Sequence, residues 1–182
     1  MNTKTIILLS AKRTGSSAFF KVFKSNPKVS CLIKRKDMDM IELNFWNSAL
    51  EAINGNQNNL KKILKKIEFS ENLPTKLTKK KIFLLWKKIL NKNGGIIFDK
   101  SPNYLNKYET LNLINDFKKS GNKVIILGLI RDPRDSISSQ HELWDKNLSG
   151  NKLISKIKQR EKKWLIQYEN LEKFQSNFKF KV

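Results

Sequence analysis

Ser10-Ala11-Lys12-Arg13-Thr14-Gly15-Ser16-Ser17 gathers two cations, a glycine and four hydroxyls in eight residues, directly after the apolar run Ile6-Ile7-Leu8-Leu9. Strand, tight loop and helix is the pattern over Thr5–Phe23. Such a loop leaves unpaired backbone N–H groups at a helix N-terminus, where the partial positive charge favours an anion. Gly15 allows a left-handed turn and close approach of a ligand. The expected guest is a phosphate or a chemically similar group. The loop is not a Walker A motif, which needs two glycines and a lysine directly before the Ser/Thr. Taken alone it fits an ordinary helix cap equally well, so a second site is needed.

A second cluster of the same kind is Arg131-Asp132-Pro133-Arg134-Asp135-Ser136-Ile137-Ser138-Ser139, delivered by the apolar run Lys123–Ile130. Pro133 suits a first helical turn, leaving Arg131 at the strand end and Ser139 about two turns into the helix. An arginine and a serine so placed can hold one phosphate from two sides. Between the two clusters lies Asp99-Lys100-Ser101-Pro102-Asn103-Tyr104, a charged pair at the end of the short strand Ile96–Phe98, where open α/β sheets place their ligands. Glu42, beside Phe45 and Trp46, reads either as a partly desolvated general base or as a helix-start acid with aromatic core neighbours. His141, the sole histidine, reads as a surface or supporting residue rather than a base.

The elements that must position these groups alternate between strand and helix. Val29–Ile33 is expected as a second strand. Leu60–Phe69 and Lys76–Leu90 are expected as lysine-rich amphipathic helices separated by Pro74. A further helix is expected from a Ser101 cap and Pro102 to about Ser120, and another over Trp164–Phe178 leading into a strand at Lys179–Val182. Lys123–Ile130, apolar at nearly every position, reads as a central parallel strand. The expectation is therefore an α/β fold with a parallel sheet.

The chain has 182 residues and 39% hydrophobic content, enough for one domain, expected over 1–182, with a substantial core. No apolar run has the length of a membrane span. Cys31 is the only cysteine, which excludes an internal disulfide framework and points to a reducing, cytoplasmic setting. The net charge of +21 invites a nucleic-acid reading, but the lysines are scattered and no nucleic-acid-binding motif is present. Of only five arginines, Arg13, Arg131 and Arg134 lie in the two anion clusters, where a planar, permanently charged fork outperforms lysine.

In this order the three windows resemble those of the sulfotransferases that use 3′-phosphoadenosine 5′-phosphosulfate (PAPS). Lys12–Ser17 is similar to the family's 5′-phosphosulfate loop, and Arg131 with Ser139 eight residues on is similar to its 3′-phosphate motif. The Lys100-Ser101-Pro102 window and Glu42-Leu43-Asn44-Phe45 resemble segments of the carbohydrate, heparan-modifying branch. The resemblance implies a three-layer, P-loop-like fold, a central parallel sheet flanked by helices, binding PAPS without a metal ion. It implies donor contacts from Lys12, Arg13, Thr14, Gly15, Ser16, Ser17, Arg131 and Ser139. Arg13 and Lys100 would stabilise charge on the transferring group, and Glu42 would take a proton from a hydroxyl or amine of a carbohydrate-like acceptor. Family members continue beyond Val182, so a C-terminally truncated chain is expected. The alternatives are a catalytically silent nucleotide-binding remnant of the same fold and a basic nucleic-acid-binding protein.

Overall fold

A computed structural model describes residues 3–32 and 42–178. Among these residues four strands, β1 (Lys4–Ser10), β2 (Val29–Ser30), β3 (Ile96–Lys100) and β4 (Val124–Leu129), form one sheet in the order β2-β3-β1-β4, every pairing parallel. Among the same described residues seven α-helices accompany them: α1 (Ser16–Lys24), α2 (Phe45–Ile53), α3 (Asn58–Lys66), α4 (Lys79–Asn93), α5 (Tyr108–Lys119), α6 (Pro133–Trp144) and α7 (Gly150–Phe178).

Alternation along β1 sends its side chains to two different layers. Ile7 and Leu9, with Ile97, Val124 and Ile126, enter the larger core built by α2, α3, α4, α5 and α7. Ile6 and Leu8 turn the other way with Phe98, against Phe20 and Phe23 of α1, and Phe23 stacks on Phe98 with ring centroids 4.5 Å apart. The larger core is aromatic at its centre. Trp46 lies 5.4 Å from Trp86 and 5.2 Å from Phe117. The Trp86 indole donates to Thr5 Oγ1 at 3.0 Å, which satisfies a fully buried hydroxyl on β1. Local signals set the helix ends. Thr78 caps α4 by accepting from the Lys81 amide, and Asp132 caps α6 with Pro133 in its first turn.

Two expectations change, and one helix was not expected. The run ending at Ile130 is an edge strand among the described residues, and β1 with β3 holds the centre. Its apolar character serves two faces unequally: Val124 and Ile126 are buried, whereas Ile125 is 45% exposed. No helix starts at Ser101. The Ser101 hydroxyl instead accepts from the Asn103 amide in a short turn, a single 3-10 turn follows over Tyr104–Asn106, and Lys107 is extended before α5 begins. This break lets Tyr104 and Leu105 both enter the core, fully buried. Finally, Phe45–Ile53, unassigned from sequence, forms α2. Ile33, which was to end the second strand, and the strand expected at Lys179–Val182 lie outside the described residues.

Candidate functional site

Because β1 pairs Leu8 with Lys100 and Ser10 with Leu129, the loops after β1, β3 and β4 leave the sheet along one edge. That edge is where parallel α/β sheets bind ligands. The first loop is strained into an open cradle. Arg13 (φ 63°) and Gly15 (φ 88°) are both left-handed, a conformation that costs a non-glycine residue free energy. Thr14 closes the turn by donating its hydroxyl to the Ala11 carbonyl at 3.0 Å, so this side chain serves the loop itself. Helix α1 then begins with no side-chain cap and no acid in its first turn. Its leading N–H groups are left for an anion, with the Ser16 and Ser17 hydroxyls beside them. A Cβ built on Gly15 would meet nothing within 4 Å, so the space before the loop is open. Ser10 Oγ, at the loop's root, is buried without a partner.

The third loop closes on the first. The Arg13 guanidinium donates through Nε to Ser139 Oγ at 3.0 Å, across 126 positions of sequence. Arg131 donates to the Arg13 carbonyl at 3.0 Å, and Ser136 to the Lys12 carbonyl at 2.7 Å. Arg13, Arg131 and Ser139 therefore form one polar cluster. Arg134 does not join them. It is 89% exposed and forks onto Asp132, whose carboxyl falls to about 2 chiefly through that side-chain hydrogen bond. Lys12 lends its carbonyl to Ser136 but swings its ammonium over the Trp144 ring, 5.3 Å from the centroid.

The middle loop supplies a second cluster. Lys100, only 6% exposed, lies 3.6 Å from Glu42 Oε1. Glu42 keeps 37% of its side chain in solvent, because Phe45 and Trp46 turn fully inward instead of covering it. What holds Glu42 near Lys100 is a polar lattice that sequence reasoning missed. Asn44 Oδ1 accepts from Ser101 Oγ at 3.2 Å and from Asn47 Nδ2 at 2.7 Å. Asn47 also donates to the Asn103 carbonyl and accepts from Thr110 at 2.6 Å. The left-handed backbone of Asn44 (φ 53°) is one that asparagine tolerates well. Ser136 and Tyr168 were missed too. Ser136 stands one helical turn before Ser139 and so was within reach of a face argument. Tyr168, whose hydroxyl bonds the Leu129 carbonyl and the Arg131 amide, carries no local signal.

His141 sits in a groove of about 760 Å³ between α6 and α7, with Nδ1 buried and unpartnered. Among the described residues no group of three or more metal-ligating side chains converges, and no helix is long and apolar enough to cross a membrane.

No protein-family model matches the chain, and no curated protein matches its sequence. Solved structures do match. The sulfotransferase domain of the Synechococcus PCC 7002 olefin synthase superposes with a TM-score of 0.58 at 15% identity, over 100% of this chain and 66% of that domain. The fold is sulfotransferase-like. A sulfotransferase domain from the curacin biosynthetic pathway is also found, at TM-score 0.46 and 17% identity, over 95% of this chain and 63% of that one. The chain thus spans somewhat less than two thirds of the length of either domain.

Proposed function

We propose that this protein transfers a sulfuryl group from PAPS to a hydroxyl or amine acceptor. The observation that carries the reading is the Arg13–Ser139 hydrogen bond, which joins two anion-suited loops 126 positions apart into one site. A donor with anions at its 5′ and 3′ ends needs two such loops at a fixed separation, and one phosphate does not.

In this reading the 5′-phosphosulfate sits on the α1 N-terminus, bound by the amides of the Thr14–Ser17 loop and the Ser16 and Ser17 hydroxyls. The remaining N–H groups of Arg13 face the charge that gathers on the departing phosphate, assisted by Lys12. Arg131 and Ser139 hold the 3′-phosphate. Positioning and charge stabilisation then dominate the step, as in phosphoryl transfer. The acceptor oxygen or nitrogen forms a bond to sulfur as the bond between sulfur and the bridging phosphate oxygen breaks. The electron pair leaves with the 5′-phosphate, and the acceptor proton passes to Glu42. Lys100, nearly dry and adjacent to Glu42, stabilises the negative charge on the transferring group. The acceptor stays at the level of a nucleophilic hydroxyl or amine. The olefin synthase neighbour gives no support to a carbohydrate.

A thermal-shift titration with 3′-phosphoadenosine 5′-phosphate tests the reading, with adenosine 5′-phosphate as the control. At about a hundred times the dissociation constant the ligand stabilises by roughly 2.7 kcal/mol. Stabilisation that requires both the 3′-phosphate and Arg131, and that is lost in Arg131→Ala, is the expected result. Equal responses to the two nucleotides would overturn the donor assignment.

A further inference from the structure

Helices α6 and α7 border a groove of about 760 Å³, within the range of roughly 300–1,000 Å³ that takes a small organic ligand. Ile137, Ile157 and Leu165 give it an apolar wall, and Leu165 is 52% exposed. The groove lies on another side of α6 from the donor cluster: Ile137 and His141, one turn apart, line it, whereas Ser136 and Ser139 turn to Lys12 and Arg13. Polar atoms gather along the same seam without being satisfied. Arg160, 8% exposed, pairs with Asp145 at the C-terminal end of α6, yet its Nη1 is buried with no hydrogen-bond partner among the described residues. The same holds for Nε1 of Trp164, one turn further along α7, and for Nδ1 of His141, one turn before Asp145. Both of these rings line the groove.

Arginine and indole N–H groups can only donate, and His141 Nδ1 donates whenever it carries the ring proton. Buried donors left unmade are costly, so this cluster calls for an acceptor that the described residues do not supply. The charge of the lining agrees: Arg134, Lys158 and Lys162 are cationic, and Glu161 alone is acidic. We infer that the α6–α7 groove is a second ligand site, separate from the donor site, for a small apolar carboxylate or similar organic anion. Its chain lies along Ile137, Ile157 and Leu165, and its head group accepts from Trp164, Arg160 and His141. A second copy of the chain fits less well, because two molecules of net charge +21 repel. Water alone would answer the donors and leave the apolar wall uncovered.

Octanoate, 1-octanol and octylammonium share one chain and differ in head charge. His141 is the only histidine, so its imidazole gives a single NMR signal against which each can be titrated on the full chain. Octanoate should move that signal saturably and bind about tenfold more tightly than octanol, with octylammonium weakest. Trp164→Phe keeps a ring against Tyr168 and removes the N–H; octanoate should weaken about tenfold and octanol hardly at all. Leu165→Asp, at an exposed position that tolerates a charge, should weaken both and decides the matter if Trp164→Phe does not fold. Equal binding of octanoate and octanol, an unmoved His141 signal, an octanoate preference that survives Trp164→Phe, or octanoate binding undiminished in Leu165→Asp overturns the inference. So does sedimentation as a dimer that Leu165→Asp dissociates, which gives the groove to a second copy. None of these arms uses a nucleotide, so their failure leaves the donor reading standing.

Discussion

Asp99, next to the end of β3, has 2% of its surface exposed, one carboxylate oxygen taking the Tyr104 hydroxyl at 2.8 Å and the other without a hydrogen-bond partner. Burial raises its pKa from the usual 3.8 to about 7, against the lowering effects of the Tyr104 hydroxyl, the Lys100 amide and, least, the Trp46 indole. Tyr104 is pushed up in turn, by burial first and then by the Asp99 charge. Because the folded pKa lies above the unfolded one, the folded state binds more protons between about pH 4 and pH 7, and stability falls as pH rises through that window. A shift of this size corresponds to up to about 4 kcal/mol. Asp99→Asn still accepts from Tyr104 but cannot ionise. Between pH 5 and pH 8 the wild type should therefore lose several degrees of melting temperature more than Asp99→Asn does, about 2–4 °C per kcal/mol for a chain of this size. Parallel melting curves for the two proteins would refute the burial argument. The sequence already shows Asp99 and Lys100 as a charged pair at a strand end. That they part company, with Asp99 in the larger core and Lys100 beside Glu42, follows from strand alternation once β3 has a core on one side.

Elements were legible where their signals are local. The β1–loop–α1 unit announces itself by an apolar run and a glycine, and α6 by Pro133 in its first turn. The 3-10 turn at Tyr104–Asn106 was hidden because it is dictated by contacts far away in sequence: Asn47 takes the Asn103 carbonyl, and Gln167 of α7 bonds the Pro102 carbonyl and the Asn106 side chain. The same kind of contact governs how firmly α6 holds the anion loop. Ser136 is fully buried, and its hydroxyl is the bond from α6 to the Lys12 carbonyl. Ser136→Ala leaves that carbonyl without its donor, a change that costs about 1–3 kcal/mol. Urea unfolding should show this loss as a lower midpoint with an unchanged slope. Affinity for 3′-phosphoadenosine 5′-phosphate should fall with it, because one of the two bonds that hold the Lys12–Arg13 backbone is lost. A variant that loses stability while binding normally would show that the loop keeps its shape without α6.

At the scale of the whole molecule, the alternating pattern predicted a parallel α/β sheet, and the sheet is parallel. Its strand order was not legible, because an apolar run such as Val124–Leu129 looks the same at a centre as at an edge whose two faces are unequally covered. Charge divides along a similar line. The lysines that produce +21 are spread over helices such as α3 and α4, and several are spent on local ion pairs, Lys79 with Asp116 and Lys88 with Glu71. At the site Arg13 is fixed by its hydrogen bond to Ser139, and Arg131 by a hydrogen bond to the Arg13 carbonyl as well as an ion pair with Asp135. A diffuse positive field attracts any polyanion and is screened within about 10 Å at 0.1 M salt. A bonded cluster discriminates by geometry and is screened less. Between 50 and 200 mM salt, binding of a short DNA duplex should therefore collapse steeply, by roughly a thousandfold if six or more phosphates are contacted. Preference for 3′-phosphoadenosine 5′-phosphate over adenosine 5′-phosphate should hold over the same range, even as both affinities decline. Fluorescence anisotropy for the duplex and calorimetry for the nucleotides would measure the two slopes. A duplex that stays bound at 200 mM salt, with a nucleotide preference that vanishes there, would assign the charge to nucleic acid and remove the arginine cluster from its role.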